Sequence, residues 1–182
     1  KIRIDGPYGS SSDKILNSRN IILIAAGAGI AKFASILQDI AFRTKENAVK
    51  SNLKSVYFVW LCDDSFYVEW FKKLLLELND EHEKIKFNYD IYFTKRNAAS
   101  LPKDMLYISK DIIENKYDID LLDGIGKNNH IGTPIWYDKF KSLLNDELVE
   151  EFSIFYSGPK NLAPKMKSDA KKLKIKFYNN TI

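Results

Sequence analysis

Hydrophobic residues along the chain occur either in short unbroken runs or at spacings of three and four. Residues 21–26 are apolar throughout, as in a strand that is buried on both faces. Gly27 and Gly29 follow at once. After the glycines, apolar residues recur every three or four positions, as on one face of a helix, at Phe33, Ile36, Leu37 and Ile40. The pattern predicts a buried strand, a glycine turn and an amphipathic helix.

Four further strands are predicted by runs of β-branched and aromatic residues or by strict alternation. They cover residues 55–61, 85–93, 151–157 and 174–178. A helix after Ser65 has its apolar face at Tyr67, Trp70, Phe71, Leu74, Leu75 and Leu78. Other helices are predicted at 106–115, at 138–148, and after Asn161 as the capping residue.

Strands that alternate with helices predict an α/β fold, a Rossmann-like open parallel sheet of five strands with helices on both faces. In such sheets ligands bind at the carboxyl ends of the strands. Those ends are Gly27–Gly29 and residues 61–64, 94–97 and 157–159. The candidate site is therefore at this edge of the sheet.

The glycine turn has two interpretations. Glycine lets a backbone approach a pyrophosphate closely, and the N–H groups that open the following helix attract negative charge. Gly-x-Gly after a strand is also common as a simple tight turn. The turn alone therefore leaves nucleotide binding and plain structure both open.

Composition restricts the classes of protein. The chain has 182 residues, 45% of them apolar, which is enough for one domain with a core. The net charge of +4 is compatible with an anionic ligand but does not indicate nucleic acid. One cysteine, Cys62, excludes an internal disulfide. The chain begins on Lys1 within a strand-like Lys-Ile-Arg-Ile, which suggests a piece of a longer protein.

Five short motifs occur in one order and resemble a known family. They are residues 5–9 (Asp-Gly-Pro-Tyr-Gly), 27–37 (from Gly-Ala-Gly-Ile to Phe-Ala-Ser-Ile-Leu), 57–71 (Tyr-Phe-Val-Trp-Leu-Cys with Glu-Trp-Phe), 132–136 (Gly-Thr-Pro-Ile-Trp) and 157–159 (Ser-Gly-Pro). Together they resemble the C-terminal nucleotide-binding domain of the superoxide-generating NADPH oxidase family. That family lies within the ferredoxin–NADP reductase superfamily and is related to ferric reductases.

The resemblance implies a domain that binds NADPH and passes hydride to FAD, after which electrons cross a membrane through haems to oxygen. The FAD would be held by a preceding flavin-binding domain of the same chain, with residues 1–20 as the linker and 21–182 as the NADPH-binding domain. It implies a place on the cytosolic face of a membrane protein, with cytosolic regulatory subunits as further partners. A ferric reductase domain and a non-catalytic regulatory module that kept the fold are the alternatives.

The resemblance also assigns residues to the cofactors. Gly27, Ala28, Gly29 and Ile30 would hold the pyrophosphate, and Leu61, Cys62 and Asp63 would meet the 2′-phosphate end of the adenosine. Ser157, Gly158 and Pro159 would lie near the nicotinamide, with Ser157 as the residue at the point of hydride transfer. Asp5, Gly6, Pro7 and Tyr8 would mark the boundary with the flavin domain.

Three positions depart from the family pattern. The glycine loop is two residues shorter than usual before Phe33, and Ser157 stands where the family has cysteine. Asp63 stands where the family has arginine, and a carboxylate would repel a 2′-phosphate but accept a hydrogen bond from the ribose hydroxyl of NADH. Lys95 and Arg96, after the third strand, are the candidates to replace the missing arginine.

The remaining reactive residues have structural interpretations that we favour. His82 and His130 stand in polar surroundings and are expected at the surface. Cys62 ends a buried strand and is expected to be packed rather than reactive. Asp63 and Asp64 fit the start of a helix better than a metal site. A basic tail is expected to be a solvated face, with docking to an acidic partner or membrane as the alternative, at Lys165, Lys167, Lys171, Lys172, Lys174 and Lys176.

Overall fold

The computed structural model describes residues 14–15, 17–45, 52–63, 68, 71, 74–75, 78, 85–94, 128–146 and 152–181. The predicted helix at 106–115 and the predicted cap Ser65 lie outside these residues. So do Lys95, Arg96 and the predicted boundary segment that contains Asp5, Gly6, Pro7 and Tyr8.

Six strands form one parallel sheet. They are β1 (Asn20–Ala26), β2 (Ser55–Cys62), β3 (Lys86–Phe93), β4 (Asn129–Ile131), β5 (Ser153–Gly158) and β6 (Lys176–Thr181). Their order in the sheet is β4-β3-β2-β1-β5-β6, and every neighbouring pair is parallel. The five predicted strands are all present. The sixth, β4, has only three residues, too few for an alternating pattern to predict it.

Helices connect the strands. They are α1 (Ile30–Lys45), α2 (Trp136–Asp146) and α3 (Ala163–Lys172). Between β2 and β3 the described residues Val68, Phe71, Leu74, Leu75 and Leu78 are helical, as predicted for this segment. None of the helices in the described parts of the chain is long and apolar enough to cross a bilayer.

Two helix starts differ from the prediction. Helix α2 begins at Trp136, two residues before the predicted start at Asp138. Helix α3 does not use Asn161 as its cap, which corrects the prediction: Leu162 occupies the cap position and no side chain caps the helix. Proline in the first turn of α3 supplies part of the start signal instead, because it lacks the N–H that a cap would satisfy.

The sheet is buried on both faces. In β1, Ile21, Leu23 and Ala25 join the core under α1, whereas Ile22, Ile24 and Ala26 join the core under α2 and α3. A strand covered on both sides has no polar face, which explains why residues 21–26 are apolar without interruption. The predicted class, an open parallel sheet with helices on both faces, is confirmed.

The strand order places a topological switch beside β1. The chain passes from β1 through β2 and β3 to β4 on one side, and then crosses to β5 and β6 on the other. A crevice forms at the carboxyl ends of the strands where the order reverses, and ligands of open α/β sheets bind there. In this protein the switch point lies between β1 and β5.

Candidate functional site

A glycine turn occupies the end of β1. Residues Gly27–Gly29 form one turn of 3₁₀ helix, and α1 begins directly after it at Ile30. Gly27 has φ of +53°, a left-handed conformation that glycine adopts without strain. Gly27 and Ala28 are exposed, whereas Gly29 and Ile30 are buried. In this turn, therefore, only the first two residues are exposed.

Gly29 is required by the contact between the turn and β5. A Cβ atom at this position would lie 2.0 Å from the carbonyl oxygen of Ser157 and 3.0 Å from the nitrogen of Gly158. These are backbone atoms of a central strand and cannot move aside. Only glycine fits, so the two predicted motifs at 27–30 and 157–159 are in direct contact.

Gly158 makes the same junction from the other side. Its Cβ would lie 2.7 Å from the Cβ of Ala26 and 2.7 Å from the hydroxyl of Tyr156. That hydroxyl donates a hydrogen bond of 2.7 Å to the carbonyl of Pro159, which fixes the turn after β5. Burial raises the pKa of Tyr156 to about 12, so the hydroxyl remains a donor at neutral pH.

Ser157 lies inside this junction. Ser157 is fully buried, and its hydroxyl has no hydrogen-bond partner among the described residues. Buried polar groups are normally paired, so the hydroxyl is an exception in this part of the protein. Pro159, two residues on, is exposed. At the end of β5 the exposed residue is therefore Pro159, whereas Gly158 and the Ser157 side chain are buried.

The ends of β2 and β3 bring a carboxylate to the same edge. Leu61 and Cys62 are buried, and their side chains pack in the cores on opposite faces of the sheet. The expectation of a packed Cys62 is confirmed. Asp63 is partly exposed, and its Oδ1 accepts a 2.8 Å hydrogen bond from the hydroxyl of Thr94. Thr94 begins the predicted strand end 94–97, but no motif in the sequence predicts its bond to Asp63.

The register of the sheet relates these groups. Ala26 pairs with Leu61 across β1 and β2, and Ala25 pairs with Ser157 across β1 and β5. The turns after these strands therefore emerge side by side, at roughly 4.8 Å per strand. The structure thus brings together Gly27, Ala28, Asp63, Gly158 and Pro159. No group of three or more potential metal ligands occurs among the residues described, and Asp64 is not one of those residues.

A charged cluster lies on the flank of the sheet, apart from the strand ends. It consists of Tyr57, Asp90, His130 and Lys139. Asp90 is 5% exposed, its Oδ2 accepts bonds from the Tyr57 hydroxyl and from Lys139 Nζ, the latter at 2.5 Å, and its Oδ1 lies 2.8 Å from His130 Nε2. An ionised carboxylate only accepts, so that nitrogen of His130 carries its proton.

The cluster holds its carboxylate in the charged form. Burial by itself would raise the pKa of Asp90, but the hydrogen bonds from His130, Lys139 and Tyr57 and the charge of Lys139 outweigh it. The pKa of this carboxyl is therefore below its usual value. His130 was expected as a surface residue; its side chain is 38% exposed, but it is bonded to Asp90 and its ring stacks on Tyr92 at 4.7 Å.

A cavity of about 270 Å³ lies next to this cluster. Lys86 and Asn88 line it from the beginning of β3, and Ser142 lines it from α2. The beginning of a parallel strand is the end opposite to its carboxyl terminus, so this cavity is separate from the candidate site. All six lysines of the basic tail are exposed.

Comparison with known proteins gives one family and many relatives. A family model described as "Ferric reductase NAD binding domain" matches residues 18–171. Human NADPH oxidase 3 is 29% identical over 192 residues, which cover 99% of this chain and 32% of the relative. Human NADPH oxidase 5 is 30% identical over 199 residues, which cover 98% of this chain and 26% of the relative.

A third relative is a superoxide-generating NADPH oxidase heavy chain from Dictyostelium discoideum, 29% identical over 89% of this chain and 30% of its own length. The chain thus spans between about a quarter and a third of the length of these proteins. Among solved structures, a mutant ferredoxin–NADP⁺ reductase from Plasmodium falciparum with 2′P-AMP aligns over 97% of this chain and 58% of its own, with a TM-score of 0.51 and 17% identity. This likeness supports the fold.

Proposed function

The chain belongs to the ferric reductase NAD binding domain family, and from this membership we propose that it is the part of a flavin-containing oxidase that binds the hydride-donating nucleotide. The resemblance to NADPH oxidases is confirmed by relatives that cover the whole chain. The nucleotide supplies the hydride. The chain's own residues need only bind and orient it, so no acid–base pair is required.

The observation that carries the proposal is the junction of Gly29 with Ser157 and Gly158 at the switch point of the sheet. This contact brings the exposed residues Gly27 and Ala28 close to the turn after β5, in which Pro159 is exposed. The first would hold the pyrophosphate, close to the N-terminus of α1. The second would meet the nicotinamide, whose ring leaves towards a flavin outside this chain.

In the whole protein we propose that FAD accepts the hydride and that haems carry the electrons across a membrane to oxygen, producing superoxide. The names of the oxidase relatives support this activity over ferric reduction. The flavin-binding domain would precede residue 21 in the same chain. Cytosolic regulatory subunits are proposed as partners on the same family grounds.

The proposal is tested by nucleotide titration of the 182-residue chain with NADPH and NADH, followed by calorimetry and amide chemical shifts. We expect weak binding, near the millimolar range, because half of the hydride-transfer cleft belongs to the flavin domain. Ala28→Glu should weaken the affinity by about tenfold, since it places a negative charge on the exposed turn beside the pyrophosphate.

Ser35→Glu is the matched control. It adds the same charge on the exposed face of α1, away from the turn, and should leave the affinity nearly unchanged. Binding that Ala28→Glu does not affect, or no binding of either nucleotide at millimolar concentration, would contradict the proposal. Nucleotide binding without flavin reduction in the full-length protein would instead indicate a regulatory module.

A further inference from the structure

The net positive charge of the chain is concentrated in one short region, residues 159–179. This region holds seven of the 28 basic residues and one of the 24 acidic residues, so its net charge is +6 and that of all other residues together is −2. It comprises the turn after β5, the helix α3 and the beginning of β6. The basic character of the chain is therefore a property of one region and not of the whole molecule.

Helix α3 and the turns on either side of it expose these charges to solvent. The buried side of α3 consists of Ala163, Met166, Asp169 and Ala170. Asp169 is the one acidic residue of the region, and Lys172 donates to it at 2.8 Å, so no acidic residue among 159–179 is exposed. The exposed lysines that form what we call the lysine face are Lys160, Lys165, Lys167, Lys171 and Lys174.

The stability of the helix does not explain where these lysines stand. Positive side chains stabilise the last turn of a helix, where Lys171 lies, but they are unfavourable at its N-terminal end. Lys160 and Lys165 stand at that end, and the first turn of α3 has no acidic residue. Lys167 and Lys171 are like charges four residues apart, which also destabilises a helix. The lysine face therefore opposes the stability of the helix that carries it.

The composition of this surface indicates the kind of partner that it fits. Among residues 159–179 no aromatic and no large apolar side chain is exposed, and every basic residue is a lysine. Protein interfaces are enriched in aromatic residues and arginine and depleted in lysine. Nucleic-acid surfaces use arginine to read bases or aromatic rings to stack on them. An anionic bilayer requires neither, because its charge alone attracts a cluster of about four to eight basic side chains.

We propose that the lysine face is a docking surface for an anionic lipid bilayer. In this arrangement α3 lies along the membrane surface, with its lysines at the level of the lipid headgroups and its buried side on the sheet. The neighbouring helix α2 exposes Asp138 and Lys141, whose charges cancel, so these two side chains do not oppose the contact. The inference stands independently of nucleotide binding.

The test is sedimentation of the 182-residue chain with vesicles of phosphatidylcholine alone or with about 30 mol% phosphatidylserine. We expect binding only to the vesicles that contain phosphatidylserine. The binding should weaken as the salt rises from about 100 to about 500 mM, because the Debye length shortens. Each lysine near such a surface contributes about fivefold in affinity, so Lys165→Gln combined with Lys167→Gln should lower the partition coefficient by about 25-fold.

Two controls separate the lysine face from unfolding and from net charge. The double variant removes unfavourable charge from the first half of α3, so urea denaturation should find it at least as stable as the wild type. Lys32→Gln combined with Lys54→Gln lowers the net charge equally at two other exposed positions, of which Lys32 lies on α1, across the sheet from α3. This second pair should change vesicle binding by less than about threefold.

Equal losses of vesicle binding in the two double variants would overturn the inference, because net charge alone would then explain the attraction. Equal binding to both kinds of vesicle, or to neither, would also overturn it. Tighter binding to a polyglutamate peptide or to a single-stranded oligonucleotide, lost in the Lys165→Gln, Lys167→Gln variant, would overturn it in favour of an acidic protein or a nucleic acid. A chain that binds NADPH or NADH but no vesicles would overturn this inference alone and leave the proposed function standing.

Discussion

The junction between the glycine turn and β5 differs in kind from the charged cluster of Tyr57, Asp90, His130 and Lys139. The junction is made by close packing, with Gly29 against backbone atoms of β5 and Gly158 against Ala26 of β1 and the Tyr156 hydroxyl. The cluster is made by side chains that converge on one buried carboxylate. In the junction an added Cβ atom would collide with its neighbours, whereas in the cluster the loss of one partner would leave a buried charge unpaired.

The two regions also differ in how clearly the sequence indicates them. The junction joins two short motifs whose glycines already indicate close backbone approach. The cluster joins residues that are up to 82 positions apart, Tyr57 and Lys139. The comparison predicts that steric changes affect the first region most and that charge and pH affect the second.

The largest expected effect is that of Gly29→Ala. Its Cβ would lie 2.0 Å from the carbonyl oxygen of Ser157, so the turn or β5 must shift within the core. We expect the free energy of unfolding to fall by at least about 3 kcal/mol. Urea denaturation measures it.

Gly27→Ala is the matched control in the same turn. Nothing lies within 4 Å of its added Cβ, and only the φ of +53° opposes the substitution. The expected loss is about 1 kcal/mol. Equal losses in the two variants would show that conformation, and not the contact with β5, explains both glycines.

The fold was largely predictable because each strand carries its own signal. Residues 21–26 indicate burial on both faces, and 85–93 alternate as a strand covered on one apolar face. The second face of β3 was not predictable. Asn88, Asp90 and Tyr92 would normally face solvent, but α2 covers them because Lys139 and His130 compensate the charge of Asp90. Such compensation depends on residues far apart in sequence.

The second prediction concerns that compensation. Asp90→Asn keeps the shape of the side chain but leaves the ammonium of Lys139, 20% exposed, without its counter-ion. We expect a loss of about 2 kcal/mol in the free energy of unfolding. Asp169→Asn is the control, because it removes a carboxylate whose partner, Lys172, is 61% exposed, and it should cost much less. A similar loss in both would mean that the burial of Lys139 adds nothing to the Asp90 pairs, since Asp169 is itself buried.

The contribution of Asp90 should also depend on pH. The pKa of its carboxyl is lower in the folded protein than its ordinary value of 3.8, because the hydrogen bonds and the charge of Lys139 outweigh burial. The stabilisation is therefore complete above pH 4 to 5 and is lost as the pH falls through the folded pKa. The stability difference between the wild type and Asp90→Asn should narrow from pH 6 to pH 3. A constant difference would contradict the assignment.

The candidate site was predictable in outline and not in detail. Motifs at 27–30, 61–63 and 157–159 were expected at one edge of the sheet, and they lie there because parallel strands all end at that edge. The roles of individual residues in packing were not visible in the sequence: Gly29 packs against the backbone of β5, and the Thr94 hydroxyl donates to Asp63 from the end of the neighbouring strand. These roles depend on which strands become neighbours, and strand order is not a local property of the sequence.

The smallest expected effect on stability is at Ser157, inside the junction. Its hydroxyl is fully buried and has no hydrogen-bond partner among the described residues. Replacing an unpaired buried hydroxyl by hydrogen removes a desolvated polar group and leaves little space behind. Ser157→Ala should therefore change the free energy of unfolding by less than about 1 kcal/mol. A loss well above that value would reveal a hydrogen bond that the described residues do not supply.

The last prediction concerns the effect of Ser157 on the rate of flavin reduction. If position 157 sets the distance between the junction and the nicotinamide, a bulkier and less hydrated thiol should seat the ring better in its reactive pose. A displacement of about 1 Å can cost on the order of a hundredfold in rate. In the full-length reductase, Ser157→Cys should raise the rate of flavin reduction more than it changes nucleotide affinity. That pattern identifies an interaction expressed mainly in the transition state. Stopped-flow measurement decides it, because an unchanged rate, or a change in affinity alone, would make Ser157 a packing residue of the junction.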